Sequence, residues 1–335
     1  MNISKKMKKV LKISSWTLAI VVFICSSCKV YYNNFYANKS SSVATKVFTK
    51  EIVWTPIKWT TDEYSDRASL LIPVKIDTIS NKFYVQFDLG VQRTRITSLN
   101  KGFPYLTKYT VENKYKDLPI YLGNNEMYIY NQKVNVDYEL NTPEDFVAKD
   151  TASFIKIGDV GYDYIKERIL ITDFINSRYS MTDELPKEFE RKISWINSSK
   201  VRAKKWSVHI PIKINDKERV FMYDNGSSKF TLYVSKKNWD DITDNGKNGK
   251  VDSLKLSSWG KDYYYMRAKP TQKITSMFGE DLSDKKIFYG GQLNEKMFKL
   301  MNLMEGVEGM IGNEYFRDKV LVIDTKANRI GFYNQ

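Results

Sequence analysis

The chain has 335 residues, 42% hydrophobic and 27% charged, which is enough to bury two cores of ordinary domain size and too apolar for a mostly disordered polymer. Its formal charge is +14, or +9 without the five lysines of residues 1–12; with no arginine-rich block or nucleic-acid motif, a solvated basic surface is expected rather than a nucleic-acid partner. The only cysteines, Cys25 and Cys28, close the first hydrophobic run, so the body has no disulfide, cysteine nucleophile or zinc–thiolate site.

Lys5, Lys6, Lys8, Lys9 and Lys12 lead into an apolar run of about twelve residues, Ile13 to Ile24. These are the charged and hydrophobic regions of a secretory signal, and the run is short for a membrane span. It ends in Cys25-Ser26-Ser27-Cys28, where small residues directly precede a cysteine. This resembles the lipobox of bacterial lipoproteins, which implies a signal peptide over 1–27, lipidation of Cys28 and a body held in the bacterial cell envelope. Cys25 stands where an aliphatic residue is commoner, so an uncleaved signal anchor is the alternative. Lys29 to about Ser42 reads as a tether, within a lipidated-cysteine and tether segment of 28–60. The tether has no acidic residue, which favours the periplasmic face of the outer membrane over the cell surface.

The rest of the chain is organised by an internal repeat. Ile72-Pro73-Val74-Lys75-Ile76 matches Ile210-Pro211-Ile212-Lys213-Ile214, and each leads through a turn into an apolar strand ending in Asp-x-Gly, at Phe87-Asp88-Leu89-Gly90 and Tyr223-Asp224-Asn225-Gly226. Alternating apolar residues on either side of Asp77–Asn81 and of Asn215-Asp216 predict a β-hairpin in each half. Further on, residues 158–173 align without gaps on 309–324: Gly158, Gly161, Tyr164, Leu170 and Asp173 recur as Gly309, Gly312, Tyr315, Leu321 and Asp324. Between the copies, residues 187–195 predict one or two helical turns in a linker over 186–205, separating lobes at 61–185 and 206–335. Leu293, Met297, Leu300, Met301 and Met304 predict an amphipathic helix whose Met stripe fills core.

An aspartate at a strand end, with glycine two residues on, can aim its carboxylate into a cleft, because glycine permits the tight turn. Two such carboxylates side by side share one proton, so one member can activate water while the other donates to a carbonyl. The twice-repeated order of strand, Asp-x-Gly and a later apolar-apolar-Gly strand resembles the pepsin-like aspartic peptidases over roughly residues 70 to 335. The resemblance implies a mostly β protein of two pseudo-symmetric, β-barrel-like lobes of the acid-protease type with a cleft between them. It also implies a catalytic dyad of Asp88 and Asp224, supporting turns at Gly90, Gly226, Asn225 and Ser227, and threading-strand glycines Gly161 and Gly312. A peptide or protein substrate would lie extended in the cleft of a monomer, with no cofactor and no metal. The family usually carries Thr or Ser directly after each aspartate and again after the glycine. Here Leu89 follows Asp88 and Val91 follows Gly90, and Asp159 replaces an apolar residue in the first threading strand. A degenerate scaffold that binds a peptide or glycan is therefore the alternative. A flap tyrosine is implied among Tyr115, Tyr121, Tyr128 and Tyr130, and none is singled out.

Other constellations are weaker. His209, the only histidine, has no nucleophile-elbow motif nearby and reads as a polar residue at a strand end. Asp244 to Asp252 has the look of a calcium loop, but Gly246 takes the third position and Lys255 falls where the terminal Glu belongs, so a flexible hairpin loop is preferred. Trp195, Trp206, Trp239 and Trp259 are expected in core and on sheet surfaces.

Overall fold

Strands form where β-branched and aromatic residues cluster between turn signals. The computed structural model describes residues 26–27, 43–45 and 50–335, except 77–78, 93, 97–117, 123–124, 130–154, 204–205, 248–250, 259–260, 291 and 335. The lipidation candidate Cys28 lies outside the described residues, as do Tyr115, Tyr130 and Trp259. Among the described residues no helix is long and apolar enough to cross a membrane.

In chain order the first strands are β1 (Val43–Thr45), β2 (Thr55–Pro56), β3 (Lys58–Thr60), β4 (Ser69–Ile76), β5 (Ile79–Phe87) and β6 (Arg95–Ile96). Next come β7 (Leu118–Leu122), β8 (Asn125–Ile129), β9 (Ile155–Val160), helix α1 (Tyr162–Ile165), β10 (Ile169–Asp173) and β11 (Arg178–Thr182). Helix α2 (Lys187–Glu190) and β12 (Ile193–Trp195) lead into the second half, which opens with β13 (Val208–Ile214), β14 (Lys217–Tyr223), β15 (Leu232–Val234) and helix α3 (Lys236–Thr243). Strands β16 (Asp252–Ser258), β17 (Lys261–Ala268), β18 (Ile274–Thr275) and β19 (Ile287–Tyr289) precede helix α4 (Gln292–Glu305). The chain ends through β20 (Gly309–Ile311), β21 (Val320–Asp324) and β22 (Arg329–Tyr333).

The protein is mostly β, as expected, and its strands make three sheets. The first half forms the order β1-β8-β7-β4-β5-β9-β6 with β3 added on β4, and the second half forms β16-β17-β19-β15-β20-β14-β13-β18. None of the three closes, so the barrel-like closure expected from the sequence is not found among the described residues. The strands that follow each threading strand leave their own half's sheet and pair with one another in a central sheet, β12-β22-β21-β10-β11-β2.

That central pairing carries the symmetry of the repeat. In the repeat alignment Ile171 corresponds to Val322, and these two residues face each other across antiparallel β10 and β21. A local twofold axis therefore passes between them. The halves also match locally: Phe87 pairs in parallel with Val160, and Tyr223 with Ile311. Gly161 and Gly312 have almost the same backbone conformation, φ −96° and ψ −169° against φ −97° and ψ −168°.

Two separate cores were expected, yet one main hydrophobic cluster runs from Leu70 and Val85 through Leu170, Leu321 and Ile323 to Ile210, Phe221 and Ile311. The reason is the central sheet, whose strands come from both halves and are buried on both faces. Leu170, Leu321 and Ile323 face this core, while Ile169, Ile171, Val320 and Val322 pack on the opposite face against Trp54, Phe189, Trp195 and Tyr333. Residues Ser41–Gln335 accordingly make one compact unit. Strands β1, β2 and β3 are already paired into it, so 43–60 holds sheet elements and not only tether.

Four local expectations are revised. The second hairpin turns at Asn215-Asp216 as predicted, both residues having positive φ, but β5 begins at Ile79 and shortens the first turn. The predicted linker helix stops at Glu190, and Ile193–Trp195 is a strand because its β-branched and aromatic residues pair with β22. Helix α4 exists, but its buried stripe runs through Phe298 and Met301. Met297 and Leu300, each one residue and so about 100° away around the helix, face outward. The expected hairpin loop is replaced: the described residues 244–247 and 251 fall between α3 and β16 rather than between paired strands, and the Asp252 carboxylate at the start of β16 is held by Arg267 at 2.7 Å and Lys286 at 2.9 Å.

Candidate active site

Both Asp-x-Gly motifs are tight turns at the C-terminal ends of matched strands, β5 and β14. The Asp88 N–H donates to Val160 O at 2.9 Å, and the Asp224 N–H donates to Ile311 O at 3.0 Å. Each apolar-apolar-Gly strand thus lies beside the aspartate it was expected to support. Gly90 N–H donates to Asp88 Oδ1 at 2.9 Å and Gly226 N–H to Asp224 Oδ1 at 3.0 Å, closing the two turns in the same way.

The turns face one another reciprocally. A Cβ on Gly90 would lie 2.7 Å from Asp224 Cγ, and a Cβ on Gly226 would overlap the Asp88 carboxyl. Each carboxylate therefore rests on the glycine of the opposite motif, where any side chain would displace it. The two carboxyls are hydrogen-bonded to each other.

Burial, first, pushes the Asp88 carboxyl well above the ordinary carboxylate range, and the neighbouring charges of Asp224 and Asp159 push the same way. Lys156 offsets part of this. Burial and these neighbouring charges together favour the protonated form of Asp88. Asp224 is the more fully held acceptor: besides Gly226 N–H it accepts from Ser227 N–H at 3.3 Å and from the Ser227 hydroxyl at 2.8 Å. At the equivalent position of the first motif, Val91 has no hydroxyl to offer.

A raised Asp88 carries a stability consequence of definite sign. The folded chain keeps a proton that the unfolded chain releases above about 3.8, so stability falls as pH rises from there toward the folded value. Asp88→Asn removes that penalty. Its thermal midpoint is expected to exceed the parent's by a few degrees at pH 7, and the gap to close below about pH 4, as followed by circular dichroism.

Asn225, in the place of the usual hydroxyl residue, makes a cross-motif contact: its Oδ1 accepts the Leu89 N–H at 2.5 Å. Leu89 cannot return it and is buried in the main core. Lys229 and Asp62 add an ion pair between the halves close to the second turn.

Several polar residues that the sequence did not single out brace the turns. Thr94 donates through both N–H and hydroxyl to buried Asp163 Oδ1, at 2.8 and 2.7 Å, and accepts the Gly161 N–H at 3.3 Å. Asn313 donates to Ser228 Oγ at 2.8 Å and accepts from Tyr223 OH at 2.8 Å. Gln86 and Lys156 join them beneath the dyad. The available signal was positional: Asn313 directly follows Gly312, and Gln86 shares a strand face with Asp88.

Of the flap candidates, Tyr121 and Tyr128 fall on the β7–β8 hairpin, which pairs with β4. His209 lies at the start of β13, as expected, and is buried there beside Ser207 Oγ at 3.0 Å and Glu305 at 3.2 Å, with Arg202 over both. Burial and Arg202 push its imidazole down to about 3. This cluster borders a cavity of about 590 Å³ between the linker, β13–β14 and the end of α4, in which Arg202 pairs with Glu305 and Arg219 with Glu308. Trp239 is a core residue, and Trp195 and Trp206 are half-buried. No group of three or more His, Cys, Asp or Glu side chains among the described residues could hold a metal ion.

No family model matches the chain, and no curated protein is significantly similar to it.

Proposed function

We propose that this chain is an exported, lipid-anchored hydrolase of the aspartic-peptidase type, with two pseudo-symmetric lobes and a substrate cleft between them. The observation that carries this reading is the reciprocal seating of Asp88 and Asp224 on each other's glycines, where burial and neighbouring charges favour the protonated form of Asp88. In such a pair Asp224, ionised, takes a proton from a water held between the carboxyls, while Asp88 donates its hydrogen to the peptide carbonyl. Water adds to the carbonyl carbon, and the resulting diol breaks at the C–N bond as Asp224 passes the proton it took from water to the leaving amine and one diol hydroxyl returns a proton to Asp88. No covalent enzyme intermediate and no cofactor is required.

The substrate in this reading is a peptide or protein in extended form. The protein works as a monomer tethered through Cys28 to the periplasmic face of the outer membrane. The missing hydroxyls at Leu89 and Val91 favour a second reading, in which the same cleft holds a peptide or glycan without cutting it.

Cleavage of an unbiased peptide mixture by the purified full chain in detergent, scanned from pH 3 to 7 and read by mass spectrometry, separates the two. Cleavage that disappears in Asp224→Asn supports the hydrolase. A well-folded chain that cuts nothing across that range leaves the binding reading.

A further inference from the structure

The two halves of the site also differ at three positions on the strands that carry the aspartates and thread beside them. In the first half these are Gln86, Lys156 and Asp159. Their repeat equivalents are Met222, Val307 and Met310, which are apolar and pack into the core of the second half. Placing one amide and two charges where the sister lobe uses hydrocarbon carries a desolvation cost, and in this case the groups are linked to one another. Lys156 Nζ donates to Gln86 Oε1 at 2.6 Å and is 2.9 Å from Asp159 Oδ1. Gln86 Nε2 in turn donates to Gly226 O at 3.2 Å, in the opposite motif. The linkage runs from β9, through β5, to the turn on which Asp88 rests.

It occurs on the side that lacks hydroxyls. In the second motif Ser227 holds Asp224 and Asn225 reaches across to Leu89 N–H. From the first motif, Gln86 makes the return crossing that Leu89 cannot. We propose that Lys156 and Gln86 are positioning residues for the dyad, docking the Gly226 turn against Asp88 in place of the missing hydroxyls, while the Lys156 charge counters Asp159 beside Asp88. This rests on the dyad reading above. Among the described residues, the charged groups acting on Asp88 are Asp224 from the facing turn and Asp159 and Lys156 from β9, of which Lys156 is the cation.

The test reads the Asp88 proton directly. In the full chain, the infrared carbonyl band of a protonated carboxyl that is lost in Asp88→Asn is titrated against pH. Lys156→Met should raise its midpoint by roughly one pH unit, and Asp159→Asn should lower it by a similar amount. Lys156→Arg, which keeps the charge, should titrate like the parent. If Lys156→Met does not fold, Asp159→Asn carries the test alone. A midpoint that stays at the parent value in the folded Lys156→Met and Asp159→Asn chains overturns the proposal. Because no substrate is involved, a chain that titrates as expected but cuts no peptide supports this inference and overturns the hydrolase. A chain that cuts peptides with an unmoved midpoint overturns only this inference.

Discussion

Asp224→Asn is expected to lower kcat/KM for peptide cleavage by about a thousandfold while leaving the unfolding midpoint close to the parent's. The side chains are isosteric, so the amide still fits against Gly90; its oxygen can take the Oδ1 place and accept from Gly226 N–H and Ser227 N–H, while its NH2 group donates to the Ser227 hydroxyl. What it loses is the ability to accept a proton from water, a step whose removal typically costs two to four orders of magnitude, about 10²–10⁴. Asp88 is a poor substitute in this reading, because burial and the neighbouring charges favour its protonated form. Steady-state cleavage at the optimum pH, with denaturant unfolding of the same sample, reads both quantities. A variant that keeps a tenth or more of the parent rate would remove Asp224 from the chemistry.

Gly312→Ala is expected to be the most destabilising single methyl addition near the site. The backbone at Gly312 is extended, φ −97°, so alanine meets no torsional objection there. The obstacle is contact: a Cβ would overlap Ser227 O and lie 2.5 Å from Phe230 O, both backbone atoms fastened by hydrogen bonds of the second turn. Neither can move without pulling the loop off Asp224. Overpacking of this kind costs about 3 kcal/mol, which at the unfolding entropy of a chain of 335 residues lowers Tm by roughly 4–5 °C. Gly279→Ala provides the contrast. Its φ is +84° with nothing within 4 Å, so only the left-handed penalty of about 1 kcal/mol applies. Thermal unfolding of the two variants side by side should rank them in that order, and an equal loss would mean that the threading strand has room to yield.

Much of the fold was legible because its signals are local. The Asn215-Asp216 turn declares itself in two residues that tolerate positive φ, and β10 in a run of apolar residues that only a strand buried on both faces explains. The repeat was visible by comparison alone: the match of 72–76 with 210–214 led to both Asp-x-Gly aspartates, and that of 158–173 with 309–324 to both threading glycines. The orientation of α4 was not legible, since an apolar stripe of five residues offers more than one face and the sheet beneath it selected Phe298. Neither was the burial of His209, which depends on Arg202 and on Glu305 at the far end of another helix.

The sequence by itself determined the paired strands that open each half, the two Asp-x-Gly turns and the asymmetry between them, because propensity, periodicity and turn chemistry act over a few neighbouring residues. Tertiary structure alone decided how that asymmetry is compensated. Leu89 meets Asn225 across 136 residues, Gln86 meets Gly226 across 140, and Lys156 meets Gln86 across 70. No local rule links such positions. They come together because β10 and β21 pair residue against repeat-related residue, and that pairing brings each aspartate over the other's glycine.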